Sequence, residues 1–348
     1  MDLQPDRPAV LRSSAPLLSV VVPVLDGGTD FERCLAALAG SEFRDYELIV
    51  VDDGSTDGSP GLAATYGARV VRSAGRRGPG AARNLGVDHA RGEVVFFLDA
   101  DCEVHTDTLG RAAAAFRGSP PPDAIFGSYD DAPAGSGLVA RFKNLQHHYV
   151  HQRGRSEART FWAGCGGVRR SVFREVGGFD GELFPRPSIE DIELGYRLRE
   201  RGFTVRLCPA MQVKHLKQWT LASLIRTDVL DRGVPWTRLM LSRGFLETDL
   251  NLVWRHRIAV ALAWTLLALV LLSPYAPALL WAAAATAATL LAANLDFYRF
   301  LARREGVWFA VRALPLHWLH YLYSGLAFGW GLVAHAWSRM TGRDSDRM

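Results

Sequence analysis

The chain has 348 residues, of which 49% are hydrophobic, 10% aromatic and 22% charged, with a net charge of +4. This balance excludes an intrinsically disordered chain, and no basic block interleaved with aromatics speaks for nucleic acid. At about 150 residues per domain the length fits two domains, or one with an appendage, and the mean hydropathy of +0.03 averages two unlike parts.

Met1–Pro16 holds acids and prolines but no apolar core of signal-peptide length, so the polar part of the chain is expected to stay in the cytosol. Cys34, Cys102, Cys165 and Cys208 lack metal-ligand or redox spacing and read as free thiols of a reducing compartment. Leu18–Val24 is a β-branched run, followed by a helix over Phe31–Leu38 and a second strand over Tyr46–Val51. A third strand is expected at Ala68–Val71, a helix at Ala81–Ala90 and a fourth strand at Val94–Leu98. Continuous apolar strands alternating with helices predict a parallel sheet covered on both faces. Ligands of such sheets bind beyond the strand C-termini.

Those tips are where the polar residues gather. Asp52, Asp53 and Asp57 lie in a Gly/Ser/Thr turn, where turn and capping chemistry alone would favour them. Asp99 and Asp101 put two carboxylates at a buried strand end, which costs energy unless a positive group sits between them. A hard divalent cation holding a diphosphate would supply it. His147, His148 and His151 have helical spacing on Asn144–Gln152, compatible with a metal or with an interfacial helix beside the acceptor entrance. Phe184–Glu190 reads as a loop, with Asp191 opening a helix to Arg201. Acids there are stabilised by the helix dipole whether or not they act chemically. His215 follows a strand-like run, Thr204–Leu207, and is either a surface histidine or part of the site.

Beyond Arg255 and Arg257, residues 258–293 carry no charged side chain. One helix of that length would run about 54 Å, against a hydrocarbon core of about 30 Å. Ser273–Pro277 breaks the run, so a helical hairpin over 258–295 is expected in the membrane. A third uncharged segment, 313–337, is rich in Trp, Tyr and His. It is open to a spanning, re-entrant or interfacial placement, with 306–314 able to lie flat as an amphipathic helix. Arg299, Arg303, Arg304 and Arg312 place the returning end of the hairpin on the cytoplasmic side. Arg339, Arg343 and Arg347 weigh against an outside C-terminus.

Seven ordered elements together resemble the inverting glycosyltransferases of family 2, which have the GT-A fold. They are Ser19–Val24, Val50–Asp57, Gly80–Gly86, Phe97–Asp101, Trp162–Val168, Val176–Asp180 and Ile189–Gly195. The resemblance covers roughly residues 17–240 and implies a mostly parallel, mixed Rossmann-like sheet. On that basis residues 1–16 are a tail, 17–245 the catalytic domain and 246–348 the membrane region. It implies donor contacts from Pro23, Val24, Asp52, Asp53, Arg83 and Asp99, with Asp52 on the base and Arg83 near base or phosphates. Asp99 and Asp101 would bind Mg2+ or Mn2+, with His215 completing the site as it does in some relatives. Asp191 would be the general base, with Glu190 beside it. Trp162, Gly164, Cys165, Gly166 and Trp236 would line the acceptor site.

The implied function is a multi-pass enzyme of the inner membrane with its catalytic domain in the cytosol. It would move a sugar from a UDP-, GDP- or dTDP-sugar to a lipid-linked or glycan acceptor at the bilayer. A polyprenyl-phosphate monosaccharide transferase is the nearest variant. A nucleotidyltransferase would leave Glu190–Asp191 without a role, and a non-catalytic membrane scaffold with a degenerate nucleotide site would need neither Asp101 nor Asp191. The Gln-x-x-Arg-Trp pattern of processive synthases is not matched by Arg232–Trp236.

Overall fold

The computed structural model describes residues 15–244 and 254–341. The expectations for the tail before residue 15, for the boundary at 245–246 and for Arg343 and Arg347 lie outside the described residues.

Strands β1 (Leu18–Val24), β2 (Tyr46–Asp52), β3 (Arg69–Arg72) and β4 (Val94–Leu98) run parallel in the order β3-β2-β1-β4. The alternation of strand side chains divides β1 between two cores. Val20 and Val22 pack with Phe31, Leu35 and Leu38 of helix α1 (Gly28–Ala39). Val21 packs on the opposite face with Ile49, Val51, Ala82 and Val87, the last two from α3 (Pro79–Asp88). Both sheet faces are therefore covered, as the unbroken apolar strands require.

The second half of the eight-stranded sheet is mixed. Its order continues β4-β7-β6-β8-β5, with β5 Cys102–Val104, β6 Ala124–Tyr129, β7 Cys165–Arg169 and β8 Val205–His215. β7 is antiparallel to both β4 and β6, β6 is parallel to β8, and β5 pairs antiparallel with the end of β8. β8 runs well past the expected Leu207. Pro209 and a register shift opposite Phe126–Ser128 hide its alternation from sequence reading. As a result His215 is the last strand residue, paired with Cys102, and stands directly beside Asp101.

Helix α7 (Glu190–Glu200) packs on one face of the sheet, burying Leu194 and Leu198 with Phe97 and Phe126. Its approach depends on Gly195, where a Cβ would stand 2.4 Å from the backbone nitrogen of Phe161. That contact seats α7 against residues 160–161, with Asp191, one turn earlier, beside Ala163.

The C-terminal part is helical. α10 (Trp254–Leu272) is long and apolar enough to cross a membrane. α11 (Leu279–Ala293) and α12 (Leu295–Glu305) meet at 63° and would count as a second span only if taken together. α12 itself is amphipathic, burying Phe297, Tyr298 and Leu301 while Arg299, Arg303 and Arg304 stay exposed. Gly306, with φ of 90°, separates α12 from α13, whose first turns are amphipathic too, with Phe309, Ala310 and Ala313 buried and Val307, Trp308, Val311 and Arg312 exposed. α13 (Val307–Thr341) packs on α10 and also on the catalytic part, against a π-helix (Thr227–Gly233) and α9 (Val234–Ser242). Tyr321, Tyr323 and Ala327 are buried there, while Trp330, Val333 and Trp337 are exposed.

Replacing Gly195 by Ala should overpack the α7 contact. We expect a loss of about 1–3 kcal/mol, read as a lowered unfolding midpoint of the detergent-solubilised chain.

Candidate active site

The strand ends of β1, β2 and β4 and the start of α7 surround a cleft of about 590 Å³. On its first side the loops are stitched together by carboxylates. Asp26, in the left-handed region with φ of 50°, accepts the Thr56 N–H at 2.6 Å and the Thr56 hydroxyl at 3.1 Å. Asp53 accepts the N–H groups of Arg77 (2.9 Å) and Gly78 (2.8 Å) and the Ser73 hydroxyl (2.8 Å). Asp52 accepts the Ser55 N–H at 2.8 Å, and Asp57 accepts those of Gly28 and Ser59. Pro23, Val24 and Asp53 line the cleft, whereas Asp52 and Asp57 do not. For those two, the geometry is the turn chemistry that their setting favours.

The centre of the site is Arg83, carried inward by α3. Its guanidinium donates to Asp99 at 2.7 Å and to Glu190 at 3.0 Å, and it lies over the Phe179 ring. Arg83 and Glu190 are only 5% exposed. Burial alone would weaken the guanidinium's hold on its proton, but Asp99, Glu190 and Asp191 raise it further above the usual arginine range.

Asp101 lies beside this bridge, with Oδ2 3.4 Å from Nε2 of His215. Burial would raise the Asp101 carboxyl, but the hydrogen bond from His215 and the nearby Lys217 bring it below the usual carboxylate range. Among the described residues no three His, Cys, Asp or Glu side chains converge as a metal-holding group. Asp99 spends one oxygen on Arg83, so the available donors are the Asp101 carboxylate, the His215 imidazole and the second oxygen of Asp99. That set suits a hard divalent cation whose remaining positions are taken by diphosphate oxygens.

Asp191 accepts the Ala163 N–H at 3.1 Å through Oδ2. Burial, then the charge of Glu190, pushes its carboxyl up to about 7, against the lowering pull of that N–H, Arg83 and Arg232. A carboxylate titrating near neutrality beside a cleft is suited to proton transfer.

On the far side, Trp162 and Trp236 line the cleft. Trp236 donates its indole N–H to the Tyr196 hydroxyl at 2.7 Å, and Trp162 packs edge-on to Tyr129. The acceptor expectation for Gly164, Cys165 and Gly166 does not hold, since none of them lines the cleft. Cys165 and Gly166 belong to the buried central strand β7, and Gly164 is covered by the Trp162 indole. The three histidines of α5 (Leu138–Gln152) do not form a metal group. Nδ1 of His148 pairs with the Tyr129 carbonyl and Nδ1 of His151 with that of Gly127, pinning the helix to β6. His147 is part of the cleft wall.

Asp26, Asp30, Tyr129, Lys217 and Arg232 also line the cleft. Sequence reading did not place them there as site residues. Only Asp26, following a strand in a Gly-rich turn, carried a local signal.

Removing the Arg83 charge would leave Asp99 and Glu190 uncompensated. Arg83→Met should cost about 3–5 kcal/mol, and Arg83→Lys, which cannot span both carboxylates, should recover only part of it in chemical unfolding.

Residues 19–177 match the family described as Glycosyl transferase family 2. The chain is 26% identical over 207 residues to the glycosyltransferase AglE of Haloferax volcanii, covering 56% of this chain and 65% of that one. It is 34% identical over 120 residues to a PGL/p-HBAD biosynthesis glycosyltransferase of Mycobacterium tuberculosis, covering 33% and 47%. The matches thus span less than two thirds of these curated relatives. Among solved structures it is similar to the mannosyltransferase PcManGT from Pyrobaculum calidifontis, in complex with GDP-Man and Mn2+. That likeness has a TM-score of 0.52 and 19% identity, and covers 94% of this chain and 88% of the other. The sheet order and the structural likeness agree that the fold is GT-A, and residues 19–177, just under half of the chain, are similar to the glycosyl transferase family 2 domain.

Proposed function

We propose that this chain is a metal-assisted, inverting glycosyltransferase that moves a sugar from a nucleotide-sugar donor to a lipid-linked acceptor at a membrane surface. The observation that carries the reading is Asp191, a carboxyl pushed up to about 7, sharing one cleft with the Asp101–His215 pair and joined to it through Glu190, Arg83 and Asp99.

Pro23, Val24 and Asp53 offer a surface for the nucleotide at the ends of β1 and β2. Asp101 and His215, with the second oxygen of Asp99, would hold Mg2+ or Mn2+, which would neutralise charge on the departing diphosphate. Asp191 accepts the proton of an acceptor hydroxyl as its oxygen bonds to the anomeric carbon. The bond from that carbon to the diphosphate oxygen breaks, and the nucleoside diphosphate leaves with the electron pair. A single displacement of this kind inverts the anomeric centre. Glu190, tied to Arg83, keeps negative charge next to Asp191 and so supports its basicity.

The membrane part of the reading rests on α10 and on surface character. Leu271 and Trp281 are 64% and 82% exposed, apolar surface that a bilayer would cover. Arg255 and Arg257 before the hairpin and Arg299, Arg303 and Arg304 after it favour a cytosolic catalytic domain at the inner membrane.

Only ionised Asp191 can take the proton. We therefore expect kcat/KM to rise about tenfold per pH unit up to about pH 7 and then level off. Asp191→Asn should lower transfer by about 100-fold or more while nucleoside diphosphate binding persists; full transfer by this variant would sink the base assignment. A thermal-shift screen of UDP-, GDP- and dTDP-sugars with Mn2+ identifies the donor, and transfer unaffected by EDTA would remove the metal.

A further inference from the structure

Outside the cleft, a groove of about 370 Å³ runs between the end of α5 and α12. It shares no lining residue with the cleft. Its floor is aromatic. Phe300 stacks on the His148 ring, with centroids 5.8 Å apart and planes 8° apart, and the Tyr149 ring lies 5.3 Å from that of Phe300.

The rim of the groove is cationic. Arg153, Arg299 and Arg303 line it, all exposed, against one acid, Asp296. Asp296 stands 3.8 Å from both Arg153 and Arg299 and is itself 50% exposed, so solvent screens these contacts. Arg303 makes no hydrogen bond or ion pair among the described residues. Two further acids beside α12 are committed elsewhere, Glu305 to Arg141 and Asp131 to Arg304. Three guanidinium groups against one carboxylate leave the groove with a positive excess.

The groove lies at the base of the α10–α11 hairpin. Arg255, in the first turn of α10, donates to the Ala293 carbonyl at 2.9 Å, where α11 ends. Asp296 and Arg299 follow within two turns, on α12. Burial raises the Tyr149 phenol, Arg153 and Arg255 pull it down, and Asp296 adds to the rise. The charge at the hairpin base therefore reaches the groove. Trp254, 65% exposed, marks the same level. Arginines and an indole at the end of an uncharged hairpin belong at the headgroup layer of a bilayer.

We propose that this groove binds the phosphate of an anionic phospholipid. Basic pockets at the cytoplasmic ends of membrane helices take such headgroups, and arginine meets a phosphate through two N–H groups at once. The aromatic floor offers apolar surface to the glycerol backbone. This rests on the membrane reading of the hairpin, and the lipid it names is a structural one and not the acceptor. On α5, His148 of the groove floor adjoins His147 of the cleft wall, so the occupant ties the catalytic part to the bilayer surface.

The test is lipid binding to the full chain in neutral detergent, read by native mass spectrometry as bound lipid against concentration. The probes are dioctanoyl phosphatidylglycerol, dioctanoyl phosphatidylcholine and glycerol 3-phosphate. The wild type should bind phosphatidylglycerol about tenfold or more tighter than phosphatidylcholine. The double variant Arg299→Gln with Arg303→Gln should lose that preference, and Arg303→Lys, which keeps the charge, should retain most of it. Arg44→Gln, which removes an exposed cation outside the groove, should change nothing. Equal binding of the two lipids by the wild type, or a preference that survives in the double variant, overturns the proposal. So does displacement of phosphatidylglycerol by glycerol 3-phosphate at similar concentration, which would assign the groove to a free phosphate. Release of the chain from vesicles by alkaline carbonate would reject the membrane reading separately from this discrimination.

Discussion

One buried guanidinium ties the two halves of this site together. Arg83 reaches from α3 to Asp99 at the end of β4 and to Glu190 at the start of α7. These acids are 91 positions apart in the chain, and the one guanidinium bonds to both. The bridge sets the distance between the strand-end carboxylates and the base helix. It also shapes the chemistry on each side. Asp99 is left with one oxygen not bonded to Arg83, and the charge of Glu190 raises the carboxyl of its neighbour Asp191.

How much of this was legible in the sequence depended on range. Strands β1 to β4 follow from unbroken β-branched runs, and the acids at their tips follow from turn chemistry. β5 and β6 are short and follow no clean period, and β8 is interrupted by Pro209, so the antiparallel half escaped pattern reading. The site shows the same division. Asp99, Asp101, Glu190 and Asp191 stand in local motifs. Arg232 and Tyr129 reach the cleft only through packing of distant elements, and no local spacing announces them. Cys165 and Gly166 failed for the opposite reason. Their motif is conspicuous, yet it serves a central strand whose neighbours leave no room for a ligand.

The histidines of α5 show why residue type alone misleads. Three imidazoles at helical spacing invite a metal. The helix lies along β6, however, and backbone carbonyls there take two of the rings. Burial keeps the third uncharged, which suits it to a wall beside a sugar.

The contact between α13 and the π-helix gives the C-terminal helices a second office. Lys143 from α5, Asp228 from the π-helix and Tyr323 from α13 meet in one buried knot. Phe142 and Leu145 share an apolar core with Phe297, Phe309 and Leu316 nearby. A chain ended before residue 254 would lose Tyr323 from this knot and expose the side of that core formed by Phe142 and Leu145. Through Tyr323, α13 thus helps to hold the π-helix whose Arg232 lines the cleft.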